Sequence, residues 1–170
     1  MALTFRDAGP DDVAAIAALQ NAASGALTGK FGEGHCSALV SERGALVAQR
    51  HARVRVGRSG KRIVTVLRIA QKKPWAIDVA YFTAVNRPLY LTGMAVSVAH
   101  QSQGLGRLAL EDAAAVARAW PADAIRLDAY DAIAGAGGFY ARCGYAERGR
   151  VVYRGTPLVY YELVLATTAV

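Results

Sequence analysis

The period of apolar and polar positions changes most sharply between Leu89 and Trp120. Tyr90–Val98 is rich in apolar and β-branched residues, the pattern of a buried strand. From Gly104 the repeat becomes helical. Leu105, Leu108, Ala109, Ala113, Val116 and Trp120 fall on one face, with Arg107, Glu111 and Arg118 opposite. A short polar turn, Gln101-Ser102-Gln103-Gly104-Leu105-Gly106, joins the two.

The same reading predicts the remaining elements. Ala2–Arg6 is a first strand. Pro10 followed by Asp11 and Asp12 is helix-start chemistry, and Val13, Ile16, Leu19 and Ala23 supply a buried stripe. Gly25, Gly29, Gly32 and Gly34 interrupt it, with a short second helix predicted over His35–Arg43. His51–Gly57 and Lys61–Ala70 form a hairpin around Ser59-Gly60. Its second strand, Ile63-Val64-Thr65-Val66-Leu67-Arg68-Ile69, is apolar on both faces and so predicted central. Lys72–Pro88 has two prolines, three aromatics and no sustained period, and reads as a long loop. Ala124–Tyr130 is a strand and Ile133–Cys143 a glycine-rich helix ending near Gly144. Gly149–Tyr153 and Leu158–Leu165 make a last hairpin.

A length of 170 residues predicts one domain, 1–170, with a core of its own. The net charge of +7 points to an anionic ligand. The basic residues are dispersed, and no recognition helix or aromatic RNA motif accompanies them, so no nucleic-acid partner is expected. Their densest group, Arg50, Arg53, Arg55, Arg58, Lys61 and Arg62, reads as a solvated sheet edge. Two isolated cysteines, Cys36 and Cys143, imply neither a disulfide framework nor a zinc site. His35, His51 and His100 are too scattered for a metal motif. No apolar run reaches the roughly 18 residues of a membrane span, Leu163–Val170 included. No signal-type leader opens the chain, and the cytoplasm is the expected location.

The turn before the long helix has a physical use. The first amides of a helix lack acceptors within it, and the dipole adds partial positive charge there. Glycine lets an anion approach the backbone closely. Ser102, Gly104, Gly106 and the guanidinium of Arg107 therefore form a candidate pyrophosphate cradle. Two families use such a turn. Gly104-Leu105-Gly106-Arg107-Leu108-Ala109 fits the GxGxx(G/A) dinucleotide fingerprint, and Asp128 follows at about the 20-residue distance of its acidic residue. That fingerprint wants its first glycine directly after the strand, whereas Ala99–Gln103 intervene.

The whole segment resembles instead motif A of the GNAT N-acetyltransferases. There a strand such as Met94-Ala95-Val96 is followed by (Q/R)xxGx(G/A), here Gln101, Gly104 and Gly106. Downstream, Phe139-Tyr140-Ala141-Arg142-Cys143-Gly144-Tyr145 is similar to the family's motif B, (L/F)YxxxG(F/Y). The predicted order β α α β β β α β α β β is that of the superfamily.

The resemblance implies an α/β (α+β) GNAT fold: a mixed central sheet of about seven strands with four helices, splayed between strands four and five. It implies acetyl-CoA as co-substrate and no metal. Backbone N–H groups around Met94, Ala95 and Val96 would bind pantetheine and face the acetyl oxygen. Gln101, Ser102, Gln103, Gly104, Leu105, Gly106 and Arg107 would hold the pyrophosphate. Tyr140 corresponds to the tyrosine beside the coenzyme sulfur, and Asp128 to a position where some relatives carry a base. Asp78, His35 and Glu162 remain alternative bases, while Glu33 and His35 read as capping or solvated groups. Ile133 stands where relatives often place an asparagine.

The function so implied is direct transfer of an acetyl group to a primary amine in a ternary complex, the acceptor being a small molecule or a protein amine. Cys143 reads as packed rather than nucleophilic. A non-catalytic acyl-CoA-binding module on the same fold is the first alternative, and a dinucleotide-binding protein the second. The aromatic loop 74–88 is expected to wall the acceptor pocket, and Tyr160-Tyr161 could serve a homodimer contact.

Overall fold

The computed structural model describes residues 2–165. The end of the apolar run Leu163–Val170 therefore lies outside the described residues. Contacts gather the chain into two units, one holding the residues up to Ala70 together with Thr92–Ala113, the other Gln71–Leu91 together with the residues from Ala114 onward. A mixed seven-stranded sheet runs in the order β1-β2-β3-β4-β5-β7-β6 and four α-helices accompany it, which is the GNAT architecture.

The first unit carries β1 (Thr4–Asp7), α1 (Val13–Phe31), α2 (Glu42–His51), β2 (Arg53–Ser59) and β3 (Arg62–Ala70). It also carries the second half of β4 (Pro88–Val96) and the first part of α3 (Leu105–Ala119). β1, β2 and β3 form an antiparallel meander. Val54, Val56 and Val66 pack on one face against Val13, Ile16 and Leu19 of α1 and Ala45 of α2. Each such aliphatic side chain, fully buried, contributes roughly 1.5–3 kcal/mol. Arg55 alternates to the other face and there meets Asp112 of α3.

Two expectations about the helices need correction. α1 does not stop at Gly25 but continues to Phe31, ending where Gly32 turns to φ +84°. Each internal glycine costs roughly 0.5–1 kcal/mol relative to alanine. Polar clamps from α1 to the following segment accompany them: Asn21 brackets the Val40 backbone, Ser24 donates to Ala38, and Thr28 bonds Ser37. The second helix is Glu42–His51 rather than His35–Arg43, and only a 3-10 turn forms at His35–Ser37. Its start is fixed by Ser41, whose hydroxyl accepts the Gly44 N–H at 3.0 Å.

The basic cluster is corrected too. β2 is an interior strand between β1 and β3, not an edge. Arg53 and Arg55 pair with Asp7, Arg55 with Asp112, and Arg58 with Asp12. The long-range carboxylates that neutralise the cluster lie far away in sequence.

The second unit holds the start of β4, β5 (Ala124–Tyr130), α4 (Gly137–Arg142), β6 (Ala146–Tyr153) and β7 (Thr156–Val164). β5 pairs antiparallel with β7, and β7 with β6. The parallel ladder between β4 and β5 covers only Pro88–Tyr90 against Ala124–Arg126. One face is covered by the segment 71–87, which is an irregular loop as its pattern predicts, with a single 3-10 turn at Val79–Tyr81. Its Ile77 and Phe82 pack with Tyr90 and Tyr160. α4 is shorter than expected, because residues 131–136 form turns. A Cβ at Gly135 would come within 1.7 Å of the Tyr130 carbonyl oxygen, so a glycine is required where the chain folds back on β5.

Candidate functional site

In the first unit, β4 passes through Met94, Ala95 and Val96 and ends there. Ser97 donates its N–H to Val64 of β3 at 2.8 Å, and a 3-10 turn follows at Val98–His100. Residues 101–104 form an exposed turn in which Ser102 (φ 60°) and Gly104 (φ 79°) both adopt left-handed backbone. Two glutamines brace it: Gln101 Nε2 donates to the Val96 carbonyl at 3.3 Å, and Gln103 Nε2 to Ala99 at 3.4 Å. The Gly104 carbonyl accepts the Leu108 N–H at 3.2 Å, so Gly104 caps α3. The helix offers no acceptor to the Leu105 and Gly106 amides, which makes this end a donor site for an anion. Arg107 is exposed on the first turn.

α3 is seated by Leu105, Ala109, Leu110 and Ala113, all buried. The buried stripe takes in Leu110, Ala114 and Ala117, while Leu108, expected inside, is exposed. Residues 97–103 separate the end of β4 from Gly104. The ladders of β1 with β2, β2 with β3, β5 with β7 and β6 with β7 are antiparallel. Both facts depart from the dinucleotide-binding pattern, which needs a tight strand-to-helix turn on a parallel sheet.

In the second unit, Tyr140 sits on α4 and is buried, its ring 5.9 Å from Tyr161 and 6.0 Å from Tyr145. Burial above all, then the charges of Asp128 and Cys143, pushes the Tyr140 hydroxyl well above the ordinary phenol range. Tyr145 is raised by the same burial, and its hydroxyl has no hydrogen-bond partner among the described residues. Asp128 lies directly opposite Tyr160 in the β5–β7 ladder. Side chains alternate along a strand, so Asp128 shares its face with Tyr160, and Tyr161, against which Tyr140 packs, is on the other. Asp128 and Tyr140 thus approach β5 and β7 from opposite sides.

The alternative bases have other partners. Glu162 is buried, pairs with Arg126 at 3.0 Å and Arg148 at 3.5 Å, and accepts the Thr83 N–H at 3.1 Å. A carboxylate so held is a structural anion. Asp78 accepts the Ala80 N–H at 3.0 Å and caps the 3-10 turn of the loop. His35 opens the turn at 35–37 and Glu33 is exposed. Ile133 is 89 % exposed. Trp75, 85 % exposed, lines with Ile77, Tyr81 and Tyr153 an open depression of about 440 Å³.

Sequence reasoning passed over Arg68, Gln20 and Gly93. Arg68 lies against Gly93, which has φ +60°, and Gln20 of α1 donates to the Gly93 carbonyl at 2.9 Å. The available signal was a lone arginine inside the apolar run 63–69.

The sequence model of the acetyltransferase (GNAT) family matches residues 79–145. No curated protein sequence matches the chain. Among solved structures, it is similar to an N-acetyltransferase from Staphylococcus aureus Mu50, with a TM-score of 0.72 at 15% identity, covering 98% of this chain and 100% of that one. It is also similar to yncA, a protein of Salmonella typhimurium solved with its cofactor acetyl-CoA, with a TM-score of 0.71 at 18% identity and coverages of 100% and 98%. The ribosomal-protein-S18-alanine N-acetyltransferase of Escherichia coli gives a TM-score of 0.71 at 15% identity, with coverages of 99% and 97%.

Proposed function

We propose that this chain is a GNAT-type acetyltransferase, and that it transfers an acetyl group from acetyl-CoA to a primary amine by direct attack in a ternary complex. The observation that carries the reading is the left-handed turn at Ser102 and Gly104, which follows the β4 segment Met94–Val96 across residues 97–103 and opens a helix whose first amides lack acceptors within it. The residues fit the co-substrate. Gln101, Ser102, Gln103, Gly104, Leu105, Gly106 and Arg107 offer amide donors and a cation to a pyrophosphate.

Acetyl-CoA supplies a thioester, and the chain polarises it. Backbone N–H groups of Met94, Ala95 and Val96 donate to the pantetheine amides and to the carbonyl oxygen as it gains charge. The amine nitrogen forms a bond to the carbonyl carbon, the C–S bond breaks, and the amine proton leaves to a base. Tyr140 keeps its proton throughout neutral pH and gives it to, or shares it with, the departing thiolate. Asp128, on the opposite face of the strand pair from the Tyr140 ring, is the proposed route for the amine proton. The reaction needs no metal, and the acceptor is a small-molecule or protein amine.

The test is isothermal titration with acetyl-CoA, with NADH and NADPH as controls. Saturable binding of acetyl-CoA alone is the expected result. Preference for a dinucleotide would overturn the reading. Binding of acetyl-CoA with no transfer to any amine would instead identify a coenzyme-binding module on this fold.

A further inference from the structure

One ionised side chain of the first unit differs from its neighbours. Arg53, Arg55 and Arg58 on β2 all face carboxylates. Arg68 on β3 has none among the described residues, and its Nε is buried without a hydrogen-bond partner. Arg68 stands opposite Val54 in the ladder, and so shares the face on which Val54 meets α1 and α2. There its guanidinium occupies the space that a side chain at position 93 would need. A Cβ on Gly93 would come within 2.4 Å of both Nε and Nη2.

Beside the guanidinium stands the Gly93 backbone, whose carbonyl accepts from the neutral side-chain amide of Gln20. A guanidinium remains charged when buried, although burial pulls its pKa down. A partly buried cation without an anion is destabilising, and such a group is tolerated where function needs it. Its natural complement is a ligand carboxylate. A single cation matches a monoanion better than a phosphate dianion.

We propose that Arg68 is the acceptor-recognition residue of this chain, binding the carboxylate of an α-amino acid whose amine is acetylated beside β4. The inference rests on the acetyltransferase reading above. Gly93 immediately precedes Met94, and consecutive Cα atoms lie about 3.8 Å apart. In an α-amino acid one carbon separates amine from carboxylate. A carboxylate on Arg68 therefore brings the amine next to the backbone assigned to the acetyl oxygen.

The test compares kcat/KM for the common L-amino acids with that for their α-carboxamides. For the best acceptor the carboxylate form should be preferred by about 10- to 100-fold, the value of a charged hydrogen-bonded contact. Arg68→Met should erase that ratio, and Arg68→Lys should restore part of it, because the charge returns without the fork. Gly93→Ala, which displaces the guanidinium, should mimic Arg68→Met even if the latter folds poorly. Aspartate and glutamate beside their side-chain amides separate an α-carboxylate from a side-chain one. An amide used as well as its acid, or a ratio that survives in Arg68→Met, overturns the proposal.

A second readout does not depend on turnover. The Arg68 Nε–H resonance, assigned by its loss in Arg68→Met, should shift on adding the preferred amino acid and stay put with its amide. No shift overturns the anion site. Failure to bind acetyl-CoA would instead overturn the enzymatic reading, with this resonance still reporting on Arg68.

Discussion

Arg55 grips Asp112 with both arms of its guanidinium edge, Nε to Oδ2 at 2.8 Å and Nη2 to Oδ1 at 2.7 Å. The two side chains are 12% and 14% exposed, so solvent screens the pair only in part. Arg55 also reaches Asp7 at 3.0 Å, which links β1, β2 and α3 through one cation. Asp112 lies two turns into α3, and the contact fixes the rotation of the helix that begins at Gly104. Asp112→Asn should cost about 2 kcal/mol, less than a fully buried pair would because both groups retain some solvent. A double-mutant cycle with Arg55→Met should recover much of that cost. Denaturant unfolding of the four proteins checks it, and strict additivity would show that the pair is not coupled.

Gly104 and Gly144 provide a matched pair. Both have left-handed φ, 79° and 89°, and an added Cβ would meet nothing within 4 Å at either. Alanine should therefore strain each backbone by about 1–2 kcal/mol. Only Gly104→Ala should also weaken acetyl-CoA, by roughly tenfold, because it alone reshapes the amide donors opening α3. Titration of the two variants side by side distinguishes cradle geometry from general stability.

Tyr140→Phe should lower kcat by about a hundredfold and leave acetyl-CoA affinity as it is, if the phenol protonates the thiolate. Burial, with Asp128 and Cys143 adding to it, raises the hydroxyl pKa in the folded state. The neutral form is thus favoured by folding. The associated stability is fully present below the unfolded value of about 10 and is lost as pH rises through the folded value. Wild type should therefore lose stability above pH about 10 more steeply than Tyr140→Phe. A kcat–pH profile that falls with a phenol-like limb near neutrality in wild type alone would contradict this assignment.

Glu162→Gln should be a stability variant. It leaves Arg126, whose side chain is 4% exposed, without its carboxylate. Breaking a buried pair from one side costs about 3–5 kcal/mol, which for a chain of this size lowers Tm by roughly 10 °C. Turnover by the folded fraction should persist. Lost turnover with unchanged Tm would restore Glu162 as a candidate base.

The parts legible in the sequence were those written in local pattern. The switch from strand to helix around Gly104, the unpatterned loop and the doubly apolar β3 all follow from residues a few positions apart. The second helix was misplaced because Ser41, a one-residue cap, outweighed the weak period before it. α1 ran past its glycines because side chains of Asn21, Ser24 and Thr28 bond residues 37–40, a contact no local window contains. The ion pairs are more distant still. Asp112 lies 57 residues from Arg55 and Glu162 lies 36 from Arg126, so paired arginines read as a solvated edge and a paired glutamate stays among the alternative bases. Arg68 was visible but mute, since its significance is the absence of such a partner.

The loop 71–87 is fastened to one strand at two points. The Tyr160 hydroxyl donates to the Ala76 carbonyl and accepts the Asp78 N–H, and Glu162, two residues along the same face of β7, accepts the Thr83 N–H. An irregular segment held this way has no opening motion independent of β7. Its Asp78 and Thr83 amides should exchange with deuterium as slowly as the neighbouring ladder amides, within one cooperative unit, so that this stretch without regular structure unfolds on the sheet's clock.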